Sequence, residues 1–372
     1  MAAVFGRILV VFLLLQMVDT VAADQMSSET NPIFDETYRA LDVTEGATAG
    51  AWSQDGIDLA IASGNHLAIV NVRTKEIVKE LVAPERGDGR RNVRYSPDGR
   101  YLVFGVHRVV IYDSKTFEVF RTLDVPFKGQ RRPLSINVGA VTISPKNDVV
   151  AILYRGLDSG YGIAVFSLPS GTLMWKAVLP RPTYLSNAPL VIDKTGTSIL
   201  CAAGGLSYND ANELKRQADL LAFDVKTGAM RTLISNVAPD IPTAMALSAD
   251  GRYLAIGTAS GSIDQMLNRK THQFVTLRSG DTINIFSPAT GNLLQTIPAH
   301  ATVLSLDFDG DKLLVNQFDL RRSDDITIHD VRTRVLVQSF PIGAAISLEI
   351  NPMDGSLATI GGRGAFVFSR KH

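Results

Sequence analysis

Cysteine is almost missing. The 372 residues hold one, Cys201, and two tryptophans, Trp52 and Trp175. One thiol builds neither an internal disulfide, nor a CxxC zinc site, nor the CxxCH attachment of a covalent haem, so disulfide scaffolds and c-type redox carriers are excluded. Set in the apolar stretch TSILCAAGG, Cys201 reads as a small core residue rather than a reactive thiol. Net charge is also missing, with 37 basic and 37 acidic side chains. Polyanion binding through counterion release needs a concentrated cationic surface, so the balance argues against a nucleic-acid partner. No HxH, HExxH or CxxC spacing occurs among the six histidines and the one cysteine, and no nucleophile or base motif is visible. Neither a metal site, nor a cofactor, nor a catalytic residue is assigned.

Long apolar runs are scarce too. The one that stands out, ILVVFLLLQMV at residues 8–18, follows the single cation Arg7 and precedes the small residues Val21, Ala22 and Ala23. That order reads as a secretory signal, residues 1–23, with cleavage before Asp24. Its apolar length falls short of the roughly 20 residues that cross a bilayer, so no stable membrane insertion is expected after cleavage. A mature protein of the periplasm, or one secreted further, follows, with residues 24–31 as an N-terminal tail and 32–372 as a single domain.

What the chain has in abundance is repetition. SQDG (53–56), SPDG (96–99), SPKND (144–148), DKTG (193–196), SADG (248–251), FDGD (308–311) and NPMDG (351–355) each sit between two alternating apolar runs. Asp, Asn and Gly accept left-handed backbone, which makes these tight hairpin turns. A third run follows in every unit, as in VVIYDS, LLAFDV and TINIFSP. After six of the seven come a second turn and a fourth run, as in LMWKA and LLQTI. Helical period is not sustained anywhere after the signal. Four short antiparallel strands per unit, repeated at this spacing, describe an all-β, seven-bladed β-propeller. The seventh unit ends at GGRGAFVFSRKH without its outer strand. ETYRALDVTEG (36–46) is the segment that can supply it, closing the ring by joining the first strand to the last sheet.

SPDGRYLVFG, SADGRYLAIG, FDVKTGAM and FSPATGNLL resemble the WD40-like and YVTN-like repeats of seven-bladed propellers, over nearly the whole chain past residue 32. Tyr112-Asp113, Phe223-Asp224 and His329-Asp330 stand where the strict repeat has Trp-Asp, so the resemblance is to an exported bacterial variant. A quinone-carrying propeller repeats its docking tryptophan in most blades, and two tryptophans cannot do so.

In such a meander the second-to-third loops and the blade-to-blade loops emerge on one face, and the hairpin turns on the other. Extra length collects on the first face: RGLDSGYG in blade 3, GGLSYNDANELKRQAD in blade 4, the stretch from Thr258 to Asp281 in blade 5 and FDLRRSDD in blade 6. Long loops on a rigid scaffold are where binding residues collect. Basic pairs fall in the same loops: Arg90-Arg91, Arg131-Arg132, Lys215-Arg216, Arg269-Lys270 and Arg321-Arg322. Guanidinium forks suit carboxylate or phosphate, so these residues are the expected contacts for a protein partner or an acidic ligand. A second candidate lies in the channel. One register of the innermost strands holds Ala51, Arg94, Thr142, Val191, Ala246, Asp307 and Glu349, which places the charged Arg94, Asp307 and Glu349 near the axis. The expected function is an interaction or ligand-binding platform, working as a monomer or as one subunit of a hetero-complex. The alternatives are a propeller enzyme of lactonase or lyase type and the non-catalytic propeller subunit of a periplasmic redox enzyme.

Overall fold

A computed structural model of the chain describes residues 32–41, 46–82, 92–126, 137–156, 160–180, 190–208, 214–238, 242–258, 264–267, 274–277, 282–318, 325–341, 345–361 and 363–371. At 36–39, 156, 205–208, 214–217, 264–267, 274–277, 325 and 341 the description is of backbone alone. Among these residues there are seven four-stranded antiparallel sheets, one two-stranded sheet and no helix. The innermost strands are Ala47–Trp52, Asn92–Tyr95, Asn137–Ile143, Leu190–Ile192, Pro242–Leu247, Thr302–Asp309 and Ala345–Ile350. Each touches the next, and the last touches the first, so they ring a central channel. The protein is a seven-bladed β-propeller.

The recurrent turn between first and second strands is stapled by its serine. Ser53 Oγ donates to Asp55 at 2.6 Å and accepts the amide of Asp58 at 2.9 Å. Ser96 does the same with Asp98 and Tyr101, at 2.6 and 2.9 Å. Ser248 repeats it with Asp250 and Tyr253, at 2.7 and 2.9 Å. Satisfying turn amides from a local side chain is what Ser and Asp do better than strand ladders allow, which explains why S-x-D-G recurs. SPKND uses Asn147, at φ 58°, where the other turns place glycine. The turns from third to outer strand carry a residue of positive φ at the same point in each of blades 1 to 6, and Gly228 shows the cost of anything larger there. Its φ is +70°, and a Cβ would lie 2.7 Å from the ring of Trp175, whose Nε1 donates to the Val225 carbonyl at 2.8 Å.

The core lies between blades rather than at the centre. Seven apolar clusters fill the seven inter-blade interfaces: for example, Leu67, Ile69, Leu102 and Phe104 between blades 1 and 2, and Ile163, Val165, Ile199 and Phe223 between blades 3 and 4. Inner-face residues of each sheet meet outer-face residues of its neighbour, so both faces of most strands are buried, as the continuous apolar runs require.

The seventh sheet is completed by the chain's first strand. Phe34–Leu41 pairs antiparallel with Gly364–Arg370, in the register Tyr38↔Phe368, Arg39↔Val367, Ala40↔Phe366 and Leu41↔Ala365. The strand begins two residues before the expected 36, and residues 42–45 lie outside the described set. The reason is Phe34. Wholly buried, it packs among Leu314, Ile328, Phe340 and Phe368 at the interface of blades 6 and 7, while Leu41 enters the interface of blades 7 and 1. The buried amide of Gln338, on the outer strand of blade 6, then clamps the entry. Its Oε1 accepts the amides of Ile33 and Phe34 at 2.8 and 3.0 Å, and its Nε2 donates to the Phe34 carbonyl at 2.9 Å.

Two of the expected long loops are lengthened ladders instead. In blade 3, Val149–Gly156 and Gly160–Ser167 stay paired out to Gly156↔Gly160. In blade 4, Ser198–Tyr208 and Leu214–Asp224 stay paired out to Tyr208↔Leu214. The insertion of blade 5 contains a further hairpin, Asp264–Leu267 with Phe274–Leu277. Inserted residues of this kind satisfy their own backbone groups by pairing, which an irregular loop of that length would have to do through solvent.

If the first strand closes the ring through Phe34, Phe34→Ala should cost about 3–5 kcal/mol in urea unfolding, the range for an aromatic removed from a filled site. Val119→Ala, at a position 61% exposed, should stay within about 0.5 kcal/mol.

Candidate functional site

Of the two candidate sites, the channel is the one whose side chains are described. Arg94 lies on the inner strand of blade 2, and its Nη1 reaches across blade 1 to blade 7. It donates to Glu349 Oε1 at 2.9 Å, to the Gly50 carbonyl at 3.3 Å and to its neighbour's carbonyl on Val93 at 3.1 Å. Glu349 also accepts from Ser347 Oγ at 3.1 Å, and its carbonyl takes the indole N–H of Trp52 at 3.1 Å. Asp307, one blade away, accepts the amides of Phe308 and Ile350 at 2.8 and 3.3 Å. One register of three inner strands thus brings Arg94, Asp307 and Glu349 together, as the alternation of the sequence places them.

Two carboxylates share one guanidinium here. Burial raises the Glu349 carboxyl, with Arg94 opposing the shift. Burial, reinforced by the charge of Glu349, holds Asp307 up to about 7. The pairing with Glu349 stabilises the charged form of Arg94 further. The guanidinium is enclosed by the ring yet keeps 48% of its side-chain exposure, against 17% for Glu349, because it faces the open channel. Its field is therefore partly screened, and the pair is a weaker tether than its distance alone suggests.

Above this cluster, toward the face where the inner strands begin, lies a cavity of about 240 Å³ lined by all seven inner strands. Its polar groups include Thr48, Asn92, Thr142, Thr243, Ser305 and Ser347, with Arg94 at the deep end. Asn92, Ser305 and Ser347 were missed in reading the sequence, although counting back two residues from Arg94, Asp307 and Glu349 reaches each of them. Thr48 and Thr243 could not be found that way, because each sits where the register slips, between Ala47 and Ala49 and between Pro242 and Ala244. A bulge turns its extra residue inward, and the plain period of two loses count there.

Arg90, Arg91, Arg131, Arg132, Arg269, Lys270, Arg321 and Arg322 lie outside the described residues. Lys215 and Arg216 are described in backbone only, opposite Ser207 and Leu206 on the extended ladder of blade 4. Cys201 is fully buried, and burial pushes its thiol up to about 12. Among the described residues no group of three or more His, Cys, Asp or Glu is placed to hold a metal ion.

No protein-family model matches the chain, and no curated protein matches it. Solved structures do match. A chain of the Mitotic Checkpoint Complex superposes with a TM-score of 0.65 at 16% identity, over 92% of this chain and 93% of that one. The β-propeller domain of Cps50 (Swd1) from Myceliophteria thermophila superposes with a TM-score of 0.63 at 14% identity, over 90% and 99%. At these identities the likeness is one of fold.

Asp307 sets a pH dependence. An unfolded aspartate ionises near about 3.9, whereas here burial holds the proton until about 7. The native state therefore binds the extra proton between those limits, and stability falls as pH rises through them. Asp307→Asn should flatten the thermal-unfolding profile between pH 5 and 8 and narrow the loss at the alkaline end. A variant profile parallel to the wild type would show that Asp307 is not the group responsible.

Proposed function

We propose that this propeller is an exported platform that binds a macromolecular partner, a protein with an acidic surface, through the face carrying its second-to-third connections. The observation that supports this reading is the asymmetry of the two faces. Connections on the turn face are short and stapled, as at Ser53–Asp58 and Ser96–Tyr101. Those on the other face grow into paired extensions in blades 3, 4 and 5. Backbone added on one side only, at neighbouring blades, enlarges a surface without changing the ring, which is how a repeat scaffold acquires a binding face.

The ten basic residues Arg90, Arg91, Arg131, Arg132, Lys215, Arg216, Arg269, Lys270, Arg321 and Arg322 belong to sequence segments expected on that face. Guanidinium groups are favoured where carboxylates must be held in a fixed orientation. One of the solved structures of similar fold belongs to a complex, which supports a partner-binding reading in kind. Export rests on the N-terminal pattern of Arg7, the apolar run at 8–18 and Val21-Ala22-Ala23.

Affinity purification of the tagged protein from its native compartment, followed by mass spectrometry, tests the reading. A reproducible partner should co-elute with the wild type and be depleted at least tenfold when Arg90, Arg91, Arg131, Arg132, Arg321 and Arg322 are changed to Glu. Equal recovery with the charge-reversed variant would refute the contact surface.

A further inference from the structure

The channel cavity has polar capacity that the ring itself does not consume. Several of its lining groups are occupied by structure. Asn92 Nδ2 donates to the Val138 and Gly139 carbonyls at 3.4 and 3.3 Å. Thr243 Oγ1 donates to the Val303 carbonyl at 2.6 Å, and Ser305 Oγ accepts the Leu348 amide at 3.2 Å. Two groups are left over, since Thr48 Oγ1, although without a partner, is closed off within the wall. Thr142 lines the same space, and its side chain makes no hydrogen bond among the described residues. Arg94 makes all three of its hydrogen bonds through Nη1, leaving the donors on Nη2 and Nε without protein partners among those residues, on a side chain that remains 48% exposed.

Donors left unused beside an open channel are available to a ligand with matching acceptors. We infer that the channel is a binding site for a small hydroxylated carboxylate, held by the free donors of Arg94 and by the hydroxyl of Thr142. The planar fork of Arg94 matches the two oxygens of a carboxylate, and the Thr142 hydroxyl donates to a remaining lone pair or accepts from the ligand's own hydroxyl. The volume of about 240 Å³ lies below the roughly 300 Å³ at which drug-sized pockets begin, so the ligand is a small organic acid. Entry is from the face where the inner strands begin, since the lining residues come from the first half of those strands.

The charges that face Arg94 set the conditions. Glu349 and Asp307 are the acidic groups of its register, and the other four positions, Ala51, Thr142, Val191 and Ala246, carry none. With Asp307 protonated the cluster is neutral and admits an anion. Once Asp307 ionises, near 7, the net charge is negative and opposes it. Anion binding and proton uptake at Asp307 therefore favour each other.

Isothermal titration calorimetry with malate, whose carboxylates stay ionised over the window used, tests the site. One equivalent should bind, about tenfold tighter at pH 6 than at pH 8, following the protonated fraction of a group that titrates near 7. Arg94→Lys, which keeps the charge but removes the fork, should weaken binding at least tenfold. Thr142→Val, nearly isosteric and outside the hydrogen bonds of the Arg94–Glu349 pair, should weaken it by about threefold to tenfold while leaving the melting temperature within a few degrees of the wild type. The neutral polyol erythritol should not bind. No malate binding at pH 6, equal binding of erythritol, binding of inorganic phosphate in place of malate, or malate affinity unchanged in both variants would each overturn the assignment.

Discussion

A β-propeller cannot be built from local pieces alone, because its core is divided among interfaces that exist only when the ring is shut. The pairing of Phe34–Leu41 with Gly364–Arg370 is the contact on which that depends here. It joins residues more than 320 positions apart, and its two ends fill two different interfaces, Phe34 between blades 6 and 7 and Leu41 between blades 7 and 1. Loop-closure entropy grows only logarithmically with chain length, whereas the apolar surface buried at two interfaces is large, so so distant a pairing is affordable. It also removes the exposed strand edge that an incomplete seventh blade would present for aggregation.

The polar centre reinforces the same seam. Arg94 leaves blade 2, passes the Gly50 carbonyl of blade 1 and pairs with Glu349 of blade 7. The indole of Trp52 and the amide of Asn351, which donates to the Gly56 carbonyl at 3.0 Å, cross the junction of blades 7 and 1 as well. On the turn face, neighbouring blades are tied by Arg252 to Asp311 at 2.9 Å and by Arg370 to Asp309 at 3.1 Å. With one face cross-linked in this way, the opposite face can change length without disturbing the ring. Rigidity on one side and elaboration on the other is the arrangement a recognition scaffold needs.

Most of the architecture is legible in the residues because each blade writes the same local instructions. The turns S-x-D-G, the period-two apolar runs and the missing outer strand at Phe368 lead to seven sheets and to circular closure, and the charged register of Arg94, Asp307 and Glu349 follows from the same alternation. What escapes the reading has identifiable causes. Gln338 resembles any surface glutamine on an outer strand, and its role as a clamp exists only once a segment 304 residues away arrives beside it. Phe34 lies before the alternating pattern begins, so only the apolar hollow between blades 6 and 7 explains its place in the strand. Bulges hide Thr48 and Thr243 from a count of two. The extensions in blades 3 and 4 read as loops because glycine and polar residues are frequent there, yet ladder pairing absorbs them.

Closure by the first strand is tested most directly by removing it and giving it back. A chain beginning at residue 46 should lose the single cooperative thermal transition of the chain beginning at residue 24, and a synthetic peptide of residues 32–41 added in excess should restore it in a concentration-dependent way. A truncated chain that melts at the same temperature as the longer one, with or without the peptide, would contradict the account.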